Sequence, residues 1–215
     1  MTGPRGFPSW EELYQKDTIE KLPWYWPAID PDLEAALARH GLTSGRFLDE
    51  GTGPGTQAIA LAERGFTVTA SDVSPAALAY AARKANERGA KVSFVQDDVL
   101  ASHLTGPFDA IFDRGCFHVL TPEQRAGYAE TMRALLAPSG RLFVKTFSHH
   151  QPGTQGPYRF SPEDIRATFG SRFEVVEILD TVYQGQLDPF PKALFATLVP
   201  RRATHGSAGN PNASS

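Results

Sequence analysis

Residues 46–72 leave few folds open to this chain. The run Arg46-Phe-Leu-Asp-Glu50 reads as a strand and leads into Gly51-Thr52-Gly53-Pro54-Gly55. A helical stretch over 55–64 follows, and then a second strand-like run, 66–71, that ends in Asp72. Glycines at alternate positions free the backbone for a tight turn and let a ligand come close to it. Asp72 stands seventeen residues beyond Gly55, where an acid can accept hydrogen bonds from ribose hydroxyls. This order of strand, glycine turn, helix, strand and acid suits a nucleoside. A glycine-rich turn with no ligand is the alternative, and glycine spacing alone does not exclude it.

The rest of the chain keeps the same alternation. Asp30-Pro31 opens a helix that Gly41 closes, and Ser74-Pro75 opens one that ends near Gly89. Residues 91–96, 108–112 and 141–147 read as strands. Thr121-Pro-Glu-Gln124 forms a capping box, with Gln124 placed to reach back to the Thr121 amide. Its helix is expected to run to about Leu136 and stop at Pro138-Ser-Gly140. Ser161-Pro-Glu-Asp164 caps a last helix. Two β patterns, 173–182 and 193–199, follow with no helix between them, so they pair as an antiparallel hairpin. The pattern predicts an α/β fold with a doubly wound, mainly parallel sheet and an antiparallel last strand. Ligands of such sheets sit beyond the carboxyl ends of the strands. The expected division is an N-terminal aromatic segment over 1–30, a main domain over 31–200 and a Gly/Ser/Asn-rich disordered tail over 203–215.

Charge and cysteine usage remove other classes. A net charge of −3 argues against a duplex-binding surface. No apolar stretch approaches a membrane span, and the first thirty residues lack an apolar signal core. Cys116 is the only cysteine, which excludes an internal disulfide and a cysteine metal cluster. The expectation is a cytoplasmic monomer or weak dimer with a small-molecule partner and neither nucleic acid nor membrane.

The turn also discriminates among nucleosides. A dinucleotide fingerprint needs a third glycine where Thr56 stands. That disfavours a pyrophosphate and favours S-adenosylmethionine, which has none. Asp97 and Asp98 follow the third strand, where an acid can accept from an adenine amino group. The fourth strand ends in Asp113-Arg114-Gly115-Cys116-Phe117-His118. Asp113 is placed to orient the cofactor's amino-acid part, and Arg114 to bind a carboxylate or draw in an anionic nucleophile. An Asp–Arg pair closing the turn is the plainer reading. His118 is a candidate general base. Cys116 reads as a packed thiol rather than a nucleophile. His149 and His150 lack a third ligand at useful spacing, so no metal site is expected. Trp10, Trp24 and Trp26 lie outside the strand–helix pattern and suggest a lid that excludes water. The alternative is a docked N-terminal helix.

Residues 46–115 resemble a class I S-adenosylmethionine-dependent methyltransferase. More specifically, residues 9–200 are similar to the thiopurine, thiol/halide and tellurite-resistance group. The resemblance rests on Trp10 followed by Pro23-Trp24, on Asp113-Arg114-Gly115, and on Gly156-Pro157-Tyr158 before a capped helix. It implies strand order 3-2-1-4-5-7-6 in a seven-stranded sheet. It implies cofactor contacts at Trp10, Gly51, Gly53, Asp72, Asp98, Val99 and Arg114, within a wider set that takes in Trp24, Asp49, Thr52, Val73, Asp97 and Asp113. Tyr25 and Tyr158 depart from the group's pattern near the acceptor opening. A sparse acid–base inventory favours a soft nucleophile, a thiol, selenide, telluride or halide, which ionises readily or needs no base. Methylation of a small-molecule hydroxyl or amine, with His118 or His149 as base, is the alternative. A module that binds the cofactor without turnover is another.

Overall fold

The computed structural model describes residues 9–15 and 18–201. Residues 1–8 of the aromatic segment and the 203–215 tail lie outside the described residues.

Strands β1 (Arg46–Glu50), β2 (Thr67–Asp72), β3 (Val92–Gln96), β4 (Phe108–Arg114), β5 (Leu136–Ser148), β6 (Arg159–Phe160), β7 (Phe173–Val182) and β8 (Lys192–Pro200) form one sheet. Its order is β3-β2-β1-β4-β5-β8-β7, with the two-residue β6 beside β5. With β6 set aside, this is the order and class expected. Only β8 runs against its neighbours. Helices α2 (Pro31–Arg39), α3 (Thr56–Glu63), α4 (Pro75–Glu87), α5 (Arg125–Leu135) and α6 (Pro162–Phe169) cover the sheet, and a short α1 (Trp10–Tyr14) precedes them.

The period of two along each strand feeds two cores. Phe47, Phe112, Phe143 and Phe195 point to the face under α2 and α3, with Leu33, Leu37 and Leu61. Leu48, Ile111, Leu142, Val144 and Leu198 point to the face under α5 and α6, with Phe117, Tyr128, Met132, Ile165 and Phe169. Each of these large side chains contributes about 1.5–3 kcal/mol by leaving water. A sheet buried on both faces leaves its carboxyl edge as the place where polar groups gather.

Local chemistry sets the helix starts. Asp30 accepts from the Asp32 amide with Pro31 in the first turn. Ser74 accepts from Ala77 N with Pro75 in the first turn. Ser161 and Asp164 form a reciprocal capping box. Gln124 does reach the Thr121 amide, at 2.9 Å, but the helix proper begins at Arg125, one turn later than expected. Pro138-Ser-Gly140 does not separate α5 from a strand. The chain passes straight into β5, and the extra residues are taken up by a register shift opposite Phe108–Ala110. Gly140 makes this possible, because a Cβ there would meet Leu136 and the Phe108 carbonyl. No helix among the described residues is long and apolar enough to cross a membrane.

Candidate functional site

A cavity of about 430 Å³ opens at the carboxyl edge of β1, β2, β4 and β5. The glycine turn forms its floor. Gly51 and Gly53 have φ of +66° and +51°, a region that side chains rarely adopt. A Cβ on Gly51 would fall 2.7 Å from the Cys116 Cβ, and one on Gly53 would fall 2.5 Å from the Tyr14 hydroxyl. Asp49 holds the turn from beneath by accepting from Thr52 Oγ1 at 2.5 Å and Ala58 N at 3.1 Å. Burial pushes its carboxyl up to about 7 against those two bonds. Glu50, also raised by burial, accepts from Ser71 Oγ at 2.8 Å.

Asp72, at the tip of β2, accepts from Gly53 N at 2.8 Å and Ser74 N at 2.9 Å. Burial raises it and these amides oppose the shift. Val73 beside it lines the cavity. Of the two acids after β3, Asp97 and not Asp98 faces the cavity. Asp98 is exposed and spends its carboxylate on the Leu100 amide, capping the single turn 99–101. Of the two candidates for an adenine amino group, the structure brings Asp97 and not the preferred Asp98 to the cavity. One Asp97 oxygen accepts from His103 N at 2.8 Å, while Oδ2 is buried and has no partner. Val99 lines the wall beyond it.

The tip of β4 departs from expectation. Asp113 is fully buried and accepts from the amides of Gly115, Cys116 and Phe117 and from the Tyr128 hydroxyl. It is absent from the cavity wall, so the role of orienting the cofactor's amino-acid part is withdrawn. Asp113 shapes the turn instead. Arg114 edges the cavity but does not pair with Asp113. Its guanidinium donates to Asp30 Oδ2 at 2.8 Å, to the Trp24 carbonyl at 3.0 Å and to the Gln184 carbonyl, and stacks on Tyr183. Asp30 is also gripped by fully buried Lys145, at 2.7 and 2.9 Å. Lys145 reaches Asp32 and Gln184 as well. Such a pinned guanidinium is a poor candidate for drawing in a free anion.

Another stretch of the cavity wall is made by His118, Val119, Phe147, Pro157, Tyr183 and Leu187. The His118 ring stacks on Tyr183 at 5.6 Å, and its Nδ1 accepts from Phe147 N at 3.3 Å. That bond puts the ring proton on Nε2. Burial, with help from Arg114 and Arg159, drives the imidazole down to about 3. It is neutral and weakly basic, which contradicts the general-base reading. His149 is exposed, lies with its ring tilted against His150 and is absent from the cavity wall, so that alternative base is also withdrawn. Cys116 packs against the Gly51 turn with its thiol pushed up by burial. Tyr25 and Tyr158 are likewise absent from the wall.

The N-terminal segment closes one side. Trp10 and Trp24 meet edge to face at 5.9 Å, and both line the cavity with Tyr14 and Pro23. Trp26 packs on Phe190 instead. Glu11 ties the segment down by accepting from Ser74 Oγ at 2.6 Å and Ala76 N at 3.0 Å, at the start of α4. The described part of the segment holds the short helix α1 docked at the start of α4, and its Trp10, Tyr14, Pro23 and Trp24 line the cavity. Sequence reasoning passed over Glu50, Tyr14, Phe147 and Tyr183. Glu50 was open to inference as the second acid before Gly51, and Phe147 as the strand-five tip on the same edge as Arg114.

A family model described as a methyltransferase domain matches residues 47–140. The chain is 31% identical over 178 residues to the 2-heptyl-1-hydroxyquinolin-4(1H)-one methyltransferase of Mycobacteroides abscessus, covering 78% of this chain and 77% of that protein. It is 34% identical over 141 residues to thiocyanate methyltransferase 1 of Arabidopsis thaliana, covering 63% of this chain and 59% of that one. Among solved structures, the SAM-dependent methyltransferase from Anabaena variabilis superposes with a TM-score of 0.71 at 22% identity, covering 89% of this chain and 93% of that one.

Proposed function

The chain belongs to the class I S-adenosylmethionine-dependent methyltransferases, and from that premise we propose that it methylates a small molecule at a soft nucleophile: a thiol, selenide, telluride or halide. The cavity fits the cofactor. Asp97 Oδ2, buried and unpartnered, suits the amino group of an adenine. Asp72 keeps lone pairs for ribose hydroxyls beside its amide bonds. Gly51 and Gly53 leave a floor that a Cβ would fill. Asp49, Glu50, Asp72 and Asp97 line that end of the cavity with carboxyl oxygens, which suit a ligand's amino and hydroxyl groups.

When bound, S-adenosylmethionine supplies a methyl group on a sulfonium whose leaving group is a neutral thioether. The protein then has no leaving anion to stabilise, and its contribution is alignment and a dry site. Trp10, Trp24 and Pro23 serve as the lid, while Phe147, Tyr183 and Val119 present an apolar wall to the acceptor. Arg114 holds lid and wall in register rather than binding substrate. The observation that carries the acceptor class is His118. Buried, with Nδ1 occupied and its basicity lowered to about 3, it is unfit to deprotonate a hydroxyl or ammonium, whereas a thiol near neutral pH is partly ionised without help.

A second reading, methylation at a small-molecule hydroxyl or amine, draws on the Mycobacteroides relative, whose named substrate is a hydroxyquinolinone. A screen with methyl-labelled cofactor against thiols, selenide, thiocyanate and iodide, and against phenols, N-hydroxy heterocycles and amines, separates the two. Transfer to oxygen or nitrogen acceptors with none to the soft set sinks the first reading.

A further inference from the structure

The loop between β7 and β8 spends its polar groups on the body of the protein. The Gln186 amide donates to the Pro23 carbonyl at 2.9 Å, and the Gln186 side chain to the Tyr25 carbonyl at 3.3 Å. At its far end the Tyr183 amide donates to the Pro191 carbonyl and the Lys192 amide to Gln151 Oε1, both at 2.7 Å. Phe190 meets Trp26 edge to face at 5.9 Å. Although fixed on both sides, the loop leaves hydrocarbon in water: Leu187 is 46% exposed and Phe190 39%. Leu187 and Pro191 also line the cavity. Leu187 thus stands at the mouth, with one side on the cavity and another in solvent. An exposed leucine by itself needs no explanation; one fixed at the mouth of a cavity meets whatever protrudes from it.

The rest of the wall limits what that is. Val119, Phe147, Pro157 and Tyr183 line the cavity with Leu187, and the Phe147 and Tyr183 rings meet edge to face at 5.4 Å. The guanidinium groups at the wall are already engaged. Arg114 is tied to Asp30 and two carbonyls, and Arg159 to four carbonyls of residues 151–157. A small inorganic anion such as thiocyanate or iodide brings no apolar body to bury here. Asp188, the one charged residue of the loop, disfavours an anionic tail. An uncharged hydrocarbon chain instead leaves water along this wall and gains by doing so. We propose that Leu187 is a specificity-determining residue that takes the uncharged alkyl chain of an organic thiol. The assignment rests on the soft-nucleophile reading above and narrows it from inorganic ions to thiols that carry a hydrocarbon substituent.

Methyl transfer from labelled cofactor to ethanethiol, butanethiol and hexanethiol, with thiocyanate and iodide beside them, tests it on the full chain. In the wild type kcat/KM is expected to rise about two- to fourfold for each added methylene, the scale of a methylene leaving water. Leu187→Gln keeps the approximate size of the side chain and makes it polar. It is expected to lower the hexanethiol-to-ethanethiol ratio of kcat/KM about fivefold or more, and Leu187→Met to restore that ratio. If the substitution disturbs the loop as a whole, both thiols fall together, so the ratio still reads the contact. The proposal is overturned by a wild-type kcat/KM that does not rise with chain length, by a ratio that Leu187→Gln leaves unchanged, or by thiocyanate or iodide outrunning hexanethiol. A parallel series of alkylphenols sets the acceptor atom apart from the chain. Transfer to the phenols alone, or to neither series, would sink the soft-nucleophile reading and this proposal with it.

Discussion

Replacing Asp30 by Asn removes one charge from a fully buried cluster. The Asp30 carboxylate is 0% exposed and stands between Lys145, also 0% exposed, and the Arg114 guanidinium. Burial alone would raise this carboxyl, yet the two cations outweigh it and hold it below its ordinary value. In the variant, Lys145 keeps Asp32, whose side chain is 19% exposed, and the Gln184 amide oxygen. Two buried cations then face each other across a neutral amide. Breaking a buried pair by removing one partner costs about 3–5 kcal/mol. For a chain of this size each kcal/mol lowers the melting temperature by about 2–4 °C, so a drop of about 6–20 °C is expected. Urea unfolding at pH 7 gives the energy and calorimetry the temperature. Adding Lys145→Met removes the unpaired cation, so the double variant should be no less stable than Asp30→Asn alone, far from additive. Because the folded carboxyl sits below its ordinary value, its stabilisation is present above an unfolded pKa of about 3.9 and is lost as pH falls through the folded value. The stability curves of the wild type and the Asp30→Asn variant should therefore converge in acid. A loss below about 1 kcal/mol at pH 7, or strict additivity, would refute the reasoning.

Gly53→Ala should lower S-adenosylhomocysteine affinity at least tenfold while costing about 1–3 kcal/mol of stability, because its φ is +51° and its Cβ would strike the Tyr14 hydroxyl; calorimetry and melting measure the two. Burial raises Asp49 to about 7, so between about pH 4 and 7 the folded state holds a proton that the unfolded chain has released, and ligand-free stability falls as pH rises through that window; Asp49→Asn should flatten this slope in urea titrations at stepped pH. His118→Asn should leave the pH profile of thiol methylation without a shifted limb, whereas a base role would move it. Arg159 donates to the carbonyls of Gln151, Pro152, Gln155 and Pro157, so Arg159→Lys should raise the acceptor KM about tenfold or more by loosening that loop and leave S-adenosylhomocysteine affinity within about twofold, as steady-state kinetics and calorimetry can check.

What the sequence disclosed was local. Glycines with positive φ, prolines in first turns and side-chain caps act within a few residues, so the helix starts at 31, 75 and 162 and the turn at 51–55 were legible. Short continuous apolar runs such as Phe47-Leu48 and Leu142-Phe143-Val144 exposed the strands because the sheet is covered on both faces. The choice between Asp97 and Asp98 was not legible. It depends on how the single turn 99–101 recruits one carboxylate as its cap, a matter of side-chain direction and not of residue type. The partners of Arg114 were hidden for a different reason. Its partner Asp30 lies 84 positions earlier in the chain, and no local pattern encodes a pair that only the folded sheet brings together. Tyr14 escaped notice because five helical residues carry no periodicity, and β6 because two residues carry none.

The clasp between the two ends of the domain bears on the order of events in synthesis. Arg114 bridges the Trp24 and Gln184 carbonyls, the Gln186 amide donates to the Pro23 carbonyl, and Gly185 leaves no room for a side chain against Pro23. Residues 22–24 meet Trp10, Tyr14 and Arg114 earlier, but their contacts with residues 184–186 wait for the β7–β8 hairpin. A nascent chain holding β1 through β5 has its glycine turn and its acids but a cavity open on the side that Tyr183, Leu187 and Pro191 later close. Cofactor capture is thus a property of the finished polypeptide, and ligand-dependent protection from proteolysis should appear only in fragments that extend past Pro191.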